Sequence, residues 1–252
     1  DLAARFGKAA EQYDRHARIQ QLIGDHLLDL LPRQNYEIAL DLGCGTGFFL
    51  EKLQTLSHQL VGLDLSPGML AAAAAKGGSA HLVGGDAEQL PLLSASCDLC
   101  FSTLALQWCA SLPQALAEIW RVVRPGGHLA LATLSDGSLM ELRQAWRQVD
   151  ALDHVNPLIP EQTLLELCQA QGFEILRWQR QQHVLHYPTL HELLTSLKGI
   201  GANQVTGHRS NGLGGRNRWM ALQQAYEYKR DDTGLLPISY EVCYGVLTDR
   251  KS

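Results

Sequence analysis

Short apolar runs alternate with helix-length amphipathic segments along most of this chain. Runs at 38–42, 59–64, 81–83, 98–104 and 128–133 have the length and apolar character of buried strands. Between them, 47–56, 67–76 and 111–123 read as helices. Ser66 is placed to cap the second of these, with Pro67 at its first helical position and Gly77 and Gly78 at its end. Ser111, three residues before Gln114, forms a capping signal for the third, and Pro125, Gly126 and Gly127 read as the turn into the strand at 128. Strands and helices alternating at this spacing predict an α/β fold, a parallel sheet wound on both faces. Such sheets bind ligands at the carboxyl ends of their strands, where the strand order switches.

The flanks are less regular. Residues 3–31 read as one or two helices with an apolar face of Phe6, Ala9, Tyr13, Ile19, Leu22, Ile23, Leu27, Leu30 and Leu31. After the fifth strand, 138–149 and 162–170 read as helices, and 173–186 and 238–247 as long strands. About fifty residues between those strands exceed what a minimal sheet needs. They open with Thr189, three residues before Glu192, and continue through a glycine-rich polar stretch at 199–215. The expectation is one domain over 1–252, with the N-terminal helices (1–31) and the insert at 188–235 forming a lid. No internal repeat or low-complexity tract is visible.

Composition narrows the class. The chain has 252 residues, a formal net charge of −5 and a hydrophobic share of 46%, which imply no general attraction to nucleic acid or membrane. No apolar run approaches ~18 residues, and no segment reads as a signal peptide, so a cytoplasmic protein is expected. The six cysteines include Cys97 and Cys100 in one predicted strand. Strand geometry sends residues three apart to opposite faces, so these thiols are expected to diverge and to be buried structural groups; no metal set is complete.

The chemistry concentrates after the first strand. Asp41, Gly43, Gly45 and Gly47 form Asp-x-Gly-x-Gly-x-Gly, and Asp64 follows Asp41 by 64 − 41 = 23 residues, at the end of the second strand. Glycines at a strand–helix junction let backbone approach a ligand, and a carboxylate at the next strand end can accept both hydroxyls of a ribose. Phe48 stands where a dinucleotide fingerprint needs its third glycine, and no Gly-Lys-Ser/Thr run cradles a triphosphate. The pattern resembles motif I of class I S-adenosylmethionine methyltransferases. The fold rule gathers 41–47, 64–66, 85–87 and 102–106 around one pocket.

Further matches run nearly the length of the chain. Phe6-Gly7-Lys8-Ala9-Ala10 with Tyr13, Gly62 through Pro67, Gly85 through Pro91, Leu104 through Cys109, Arg121 through Gly127, Gln144-Ala145-Trp146 and Ser196 through Ala202 together resemble the malonyl-acyl-carrier-protein O-methyltransferases of biotin synthesis. Segments 106–109 and 196–202 carry the family-level likeness; the earlier motifs are common to many small-molecule methyltransferases.

The resemblance implies a Rossmann-like class I methyltransferase fold, a mostly parallel seven-stranded sheet with an antiparallel strand. S-adenosylmethionine is the implied cofactor and S-adenosylhomocysteine its product. The implied contacts are Gly43, Cys44, Gly45 and Gly47 beside the methionine portion, with Asp41 and Ser102 in the same pocket. Asp64 is implied on the ribose, Leu65 and Met69 on the adenine, and Asp86 with Ala87 at its amino group. Tyr13 and His16 are implied at the carboxylate or closing over it, Tyr13 also beside the substrate. The implied reaction methylates the free carboxylate of a malonyl thioester on an acyl carrier protein. That carboxylate is already ionised, so no general base is required. Arg143 is the first choice to hold it and Lys198 the second. A carrier protein is acidic, and residues 208–230 hold six basic side chains against Glu227; Arg209, Arg216 and Arg218 are the expected docking residues of a monomer. Rival readings are a class I methyltransferase acting on a quinone or another carboxylic acid, and a SAM-binding protein without turnover. A nucleic-acid methyltransferase is disfavoured by the net charge and by Ser102-Thr103-Leu104-Ala105 where an Asn/Asp-Pro-Pro-Tyr/Phe tetrapeptide would stand.

Overall fold

The computed structural model describes residues 18–199 and 213–249. Its seven strands are β1 (Tyr36–Leu42), β2 (Ser57–Asp64), β3 (His81–Gly84), β4 (Cys97–Thr103), β5 (Val123–Leu134), β6 (Phe173–Tyr187) and β7 (Leu236–Asp249). They form one sheet in the order β3-β2-β1-β4-β5-β7-β6. The first five pair in parallel, and β7 runs antiparallel to both β5 and β6. The chain steps outward from β1 through β2 to β3, then returns to lay β4 on the other side of β1. The switch point therefore lies between β1 and β4, and the glycine-rich loop leaves β1 there.

Eight helices accompany the sheet in the described residues. They are α1 (Arg18–Leu30), α2 (Leu50–Gln54), α3 (Pro67–Ala75), α4 (Leu112–Val122), α5 (Met140–Val149), α6 (Glu161–Gln171), α7 (Leu190–Gly199) and α8 (Leu213–Glu227). Alternation along the strands feeds a core on each face. Ala39, Leu99, Phe101, Ala130 and Ala132 join Ile19, Ile23 and Leu27 of α1. Leu40, Leu42, Cys100, Leu129 and Leu131 join Leu116 and Ile119 of α4 and Leu164 of α6. Leu22, expected on the buried face of α1, is exposed; the buried stripe recurs every fourth residue and passes it by.

Three expectations change. The helix read at 47–56 narrows to Leu50–Gln54, because Gly43, Gly45 and Gly47 all take positive φ and hold the loop open. Pro125, Gly126 and Gly127 are not a turn before β5. They bulge from within it: Val123 pairs with Cys97, and the ladder resumes at Leu99 with His128. The same irregularity brings Cys97 and Cys100 into one apolar cluster instead of opposite faces. Both are buried and outside any disulfide, and the Cys97 thiol donates to Val122 O at 3.5 Å.

The capping signals are used as read. Ser66 Oγ accepts from Met69 N at 3.4 Å, Ser111 Oγ from Gln114 N at 3.3 Å, and Thr189 Oγ1 from Glu192 N at 3.2 Å. The insert at 188–235 supplies α7 and α8. Leu190, Leu193 and Leu197 bury one side of α7, and Leu222, Ala225 and Tyr226 bury one side of α8. Among the described residues no helix is long and apolar enough to cross a membrane.

Candidate functional site

The site is built on the carboxyl ends of β1, β2 and β4. Leu63 O accepts the amides of Gly43 (2.8 Å) and Cys44 (3.0 Å), which pulls the loop after β1 across the end of β2. Gly43 has φ +79°, and a Cβ added there would stand 2.3 Å from Ala105 Cβ. Only glycine lets this loop pass so close to the segment after β4.

Asp64 is held by the same loop. Its Oδ2 accepts Gly45 N at 2.9 Å and its Oδ1 accepts Ser66 N at 2.8 Å. A carboxylate has about four acceptor positions, so each oxygen keeps capacity for a hydroxyl. Burial raises the Asp64 pKa, and the two amide bonds partly counter it. Asp41 lies deeper, only 3% exposed, with Oδ2 buried and unpartnered. Burial first and the neighbouring Asp64 charge second push its pKa up to about 8. Cys44 is buried beside them, its thiol pKa raised by burial and then by Asp41 and Asp64.

The next strand end is tied to this unit. Gly85 N donates to Asp64 O at 3.1 Å, and Asp86 Oδ1 accepts Glu88 N at 2.9 Å, forming a tight turn that closes at Gln89. Asp86 is exposed and Ala87 half-buried. Leu65 is 45% exposed beside Asp64, an apolar surface open to solvent, whereas Met69 is buried. Ser102 is buried, and its hydroxyl donates to Leu42 O at 3.0 Å, strapping β4 to β1. Thus Asp41, the loop glycines, Cys44, Asp64, Leu65, Asp86, Ala87 and Ser102 all stand on the ends of β1–β4 or the loops just beyond them; the Ser102 hydroxyl is already spent.

This arrangement fits a cationic nucleoside. A positive ligand beside Asp41 would meet a buried carboxyl with one oxygen unpartnered among the described residues, and a ribose beside Asp64 would meet an anchored one. Among the described residues no group of three His, Cys, Asp or Glu side chains is placed to hold a metal ion.

The basic residues are positioned less uniformly. Arg143, on α5, donates Nη1 to Val155 O (3.2 Å) and Nη2 to Asn156 O (2.6 Å), and makes no ion pair among the described residues. Burial lowers its pKa, partly countered by Asp153. Arg218 turns inward from α8 and donates to Asp150 Oδ2 at 2.7 Å. Asp150 also hydrogen-bonds His154 at 2.6 Å, and that ring stacks on Trp146. Lys229 Nζ donates to Gln144 Oε1 at 2.6 Å. Arg216 is exposed. Tyr13, His16 and Arg209 lie outside the described residues, as does the side chain of Lys198.

Three polar groups were not singled out by the sequence reading. Gln20 is buried on the apolar stripe of α1 with both carboxamide atoms unpartnered. Thr103, the last residue of β4, has a buried, unpartnered Oγ1. Gln107 lies in the 3-10 turn Leu106–Trp108 just beyond β4, and its Nε2 is buried without a partner. Gln20 is signalled in the sequence only as a polar residue on an apolar face; Thr103 and Gln107 fall inside segments 102–106 and 106–109, which the sequence marked without giving either residue a role.

Comparison with known proteins agrees with the geometry. Residues 40–131 match the family model for a methyltransferase domain. A malonyl-[acyl-carrier protein] O-methyltransferase from Serratia marcescens is 42% identical over 98% of this chain and 94% of its own. The biotin biosynthesis bifunctional protein of Cellvibrio japonicus is 42% identical over 98% of this chain and 49% of its own. A SAM-dependent methyltransferase of known structure from Thermotoga maritima superposes with a TM-score of 0.59 at 16% identity, all of each chain being covered; at that identity the likeness concerns the fold.

Proposed function

Because the chain belongs to the malonyl-[acyl-carrier protein] O-methyltransferase family, we propose that it methylates the free carboxylate of a malonyl thioester borne on an acyl carrier protein. In this reading S-adenosylmethionine is the methyl donor and the product primes pimeloyl synthesis for biotin. The observation that carries the cofactor half is the hydrogen-bonded unit of the glycine loop and Asp64, with Asp41 buried behind it and its Oδ2 without a partner among the described residues.

When bound, S-adenosylmethionine supplies an electrophilic methyl group. The backbone of residues 43–47 would hold its amino-acid portion, and Asp64 would accept the ribose hydroxyls. Leu65 would offer the adenine an apolar face, with Asp86 and Ala87 at its edge. Asp41 would supply negative charge to the cationic ligand. The nucleophile is the malonyl carboxylate, which is ionised at neutral pH, so the protein need not remove a proton. Its task is to align that oxygen and exclude water from it. Arg143 is our candidate to draw the anion in, its guanidinium aimed by the carbonyls of Val155 and Asn156; Lys198 is a second candidate. We assign water exclusion to the insert at 188–235 together with the N-terminal segment 1–31. Carrier docking is assigned to the exposed side of α8, where Arg216 accompanies the exposed Trp219 and Met220, with the exposed Tyr228 just past the helix end.

A methyl-transfer assay with labelled donor tests the reading, using malonyl-carrier protein, malonyl-coenzyme A and acetyl-carrier protein. Label on the malonyl species alone, released by mild ester hydrolysis, is the expected result. Donor binding without transfer to any malonyl thioester would discard the acceptor assignment.

A further inference from the structure

We propose that the Gln107 carboxamide is a direct hydrogen-bond donor to the acceptor carboxylate; this rests on the carboxylate-methylation reading above. Gln107 Oε1 accepts Leu134 N at 3.0 Å and Thr133 Oγ1 at 3.2 Å, both at the carboxyl end of β5. A backbone amide can only donate, so the oxygen of the carboxamide must face β5 and the NH2 group must face away from it. That NH2 is buried and has no hydrogen-bond partner among the described residues. A buried donor left without a partner costs free energy, and such orphans are uncommon unless a ligand completes them.

The chain just before Gln107 packs against the cofactor loop. Ala105, two residues earlier, is the residue that Gly43 can approach only because it lacks a Cβ. Leu104 has φ +54°, a left-handed backbone that a branched apolar residue rarely adopts, and its amide donates to Ala132 O at 2.8 Å. This strained step turns the chain off β4 and back across the end of β5, which is what lets Gln107 reach Leu134. The Thr103 hydroxyl, also buried and unpartnered, stands at the start of the same turn.

A neutral donor suits this reaction. The carboxylate surrenders its charge as it becomes an ester. A cation bound tightly to it would stabilise the charged ground state more than the transition state and so slow the transfer. An amide N–H orients the oxygen with a smaller penalty of that kind. Gln107 therefore sets the position of the acceptor, while Arg143 acts as the attracting charge.

The test compares wild type with Gln107→Glu and Gln107→Met, measuring KM for the malonyl thioester, affinity for S-adenosylhomocysteine and melting temperature from about pH 6 to 8.5. Gln107→Glu keeps the acceptor for Leu134 N and Thr133 but replaces the donor by an oxygen that repels a carboxylate when ionised. KM for the malonyl thioester should rise about ten- to a hundredfold in both variants, with S-adenosylhomocysteine affinity unchanged. In Gln107→Glu alone, the defect should shrink as pH falls and the new carboxyl becomes a donor. A merely structural role for Gln107 would lower the melting temperature without that pH-dependent recovery. An unchanged KM for the malonyl thioester in Gln107→Glu across the pH range overturns the proposal, as does a defect confined to stability. Absence of transfer to malonyl thioesters by the wild type would instead remove the acceptor reading itself.

Discussion

Gly45 donates its backbone amide to Asp64 Oδ2 at 2.9 Å, so the glycine loop after β1 and the carboxylate after β2 are one hydrogen-bonded unit. The loop sets the orientation of the carboxylate, and the carboxylate fixes the loop.

Asp64→Asn should therefore act twice. The amide has one oxygen where the carboxylate has two, so Gly45 N or Ser66 N loses its acceptor and the ribose loses a charged partner. Affinity for S-adenosylhomocysteine is expected to fall about ten- to a hundredfold, read by calorimetry, with a lower melting temperature. Equal affinity in the variant would show that the nucleoside lies elsewhere.

Asp41 predicts a proton count. Its pKa of about 8 in the folded protein lies above the ordinary carboxyl value of about 4. The folded state keeps a proton that the unfolded chain releases, so this group's contribution to stability falls as pH rises from about 4 to 8 and is level above that. Asp41→Asn should remove that slope and raise the melting temperature of the ligand-free protein at pH 7. A cationic donor lowers the Asp41 pKa, so binding it at pH 7 should expel a fraction of a proton, measurable by calorimetry in buffers of different ionisation enthalpy. Proton release that persists unchanged in Asp41→Asn would point to a different group.

Gly43→Ala should be severe. The positive φ alone costs roughly 1–2 kcal/mol for a residue with a Cβ, and the new methyl meets Ala105 Cβ at 2.3 Å. Adding Ala105→Gly removes the overlap but not the backbone cost. The double variant should recover part of the lost melting temperature and cofactor affinity. No recovery would mean that the loop, rather than the contact with residue 105, rejects the methyl.

Arg216 and Arg218 should separate although they are neighbours on α8. Arg216 is exposed, so Arg216→Glu should raise KM for malonyl-carrier protein, more strongly at low salt, and leave KM for malonyl-coenzyme A unchanged. Arg218 is bonded to Asp150. Arg218→Ala should cost up to about 1 kcal/mol of stability and affect both thioesters alike. A carrier-selective defect in Arg218→Ala but not in Arg216→Glu would place docking on another face.

The residues differ in how openly the sequence displays them, and the reasons are physical. Buried parallel strands must be apolar runs, so β1 through β4 could be read within a few residues. The glycine loop and Asp64 were legible because the loop needs positive φ at fixed spacing and the carboxylate needs a strand end. The start of β5 was misread because Pro125, Gly126 and Gly127 favour a turn, whereas here they fill a bulge between two stretches of one ladder. That bulge also decides that Cys97 and Cys100 share a cluster, which strict alternation forbids. Gln107 depends on an amide 27 residues away and on a left-handed Leu104, neither of which a local pattern records. Arg218 looked like a free surface charge, and only the approach of α8 to the end of α5 gives it Asp150 as a partner.

The hairpin of β6 and β7 closes at Tyr187 opposite Leu236, and the segment 188–235 leaves and re-enters the sheet at that single rung. Its two ends are thus clamped side by side by an antiparallel ladder that runs back to Phe173 opposite Asp249. The backbone pairing of β1 through β5 does not pass through what is strung between those ends, although Leu193, Leu197, Leu222 and Tyr226 of the insert share a core cluster with Ala39 and Phe101. The chain is organised like a cassette: a segment of different length or acceptor preference could be grafted at positions 187 and 236, provided it returns the apolar side chains that complete the shared core.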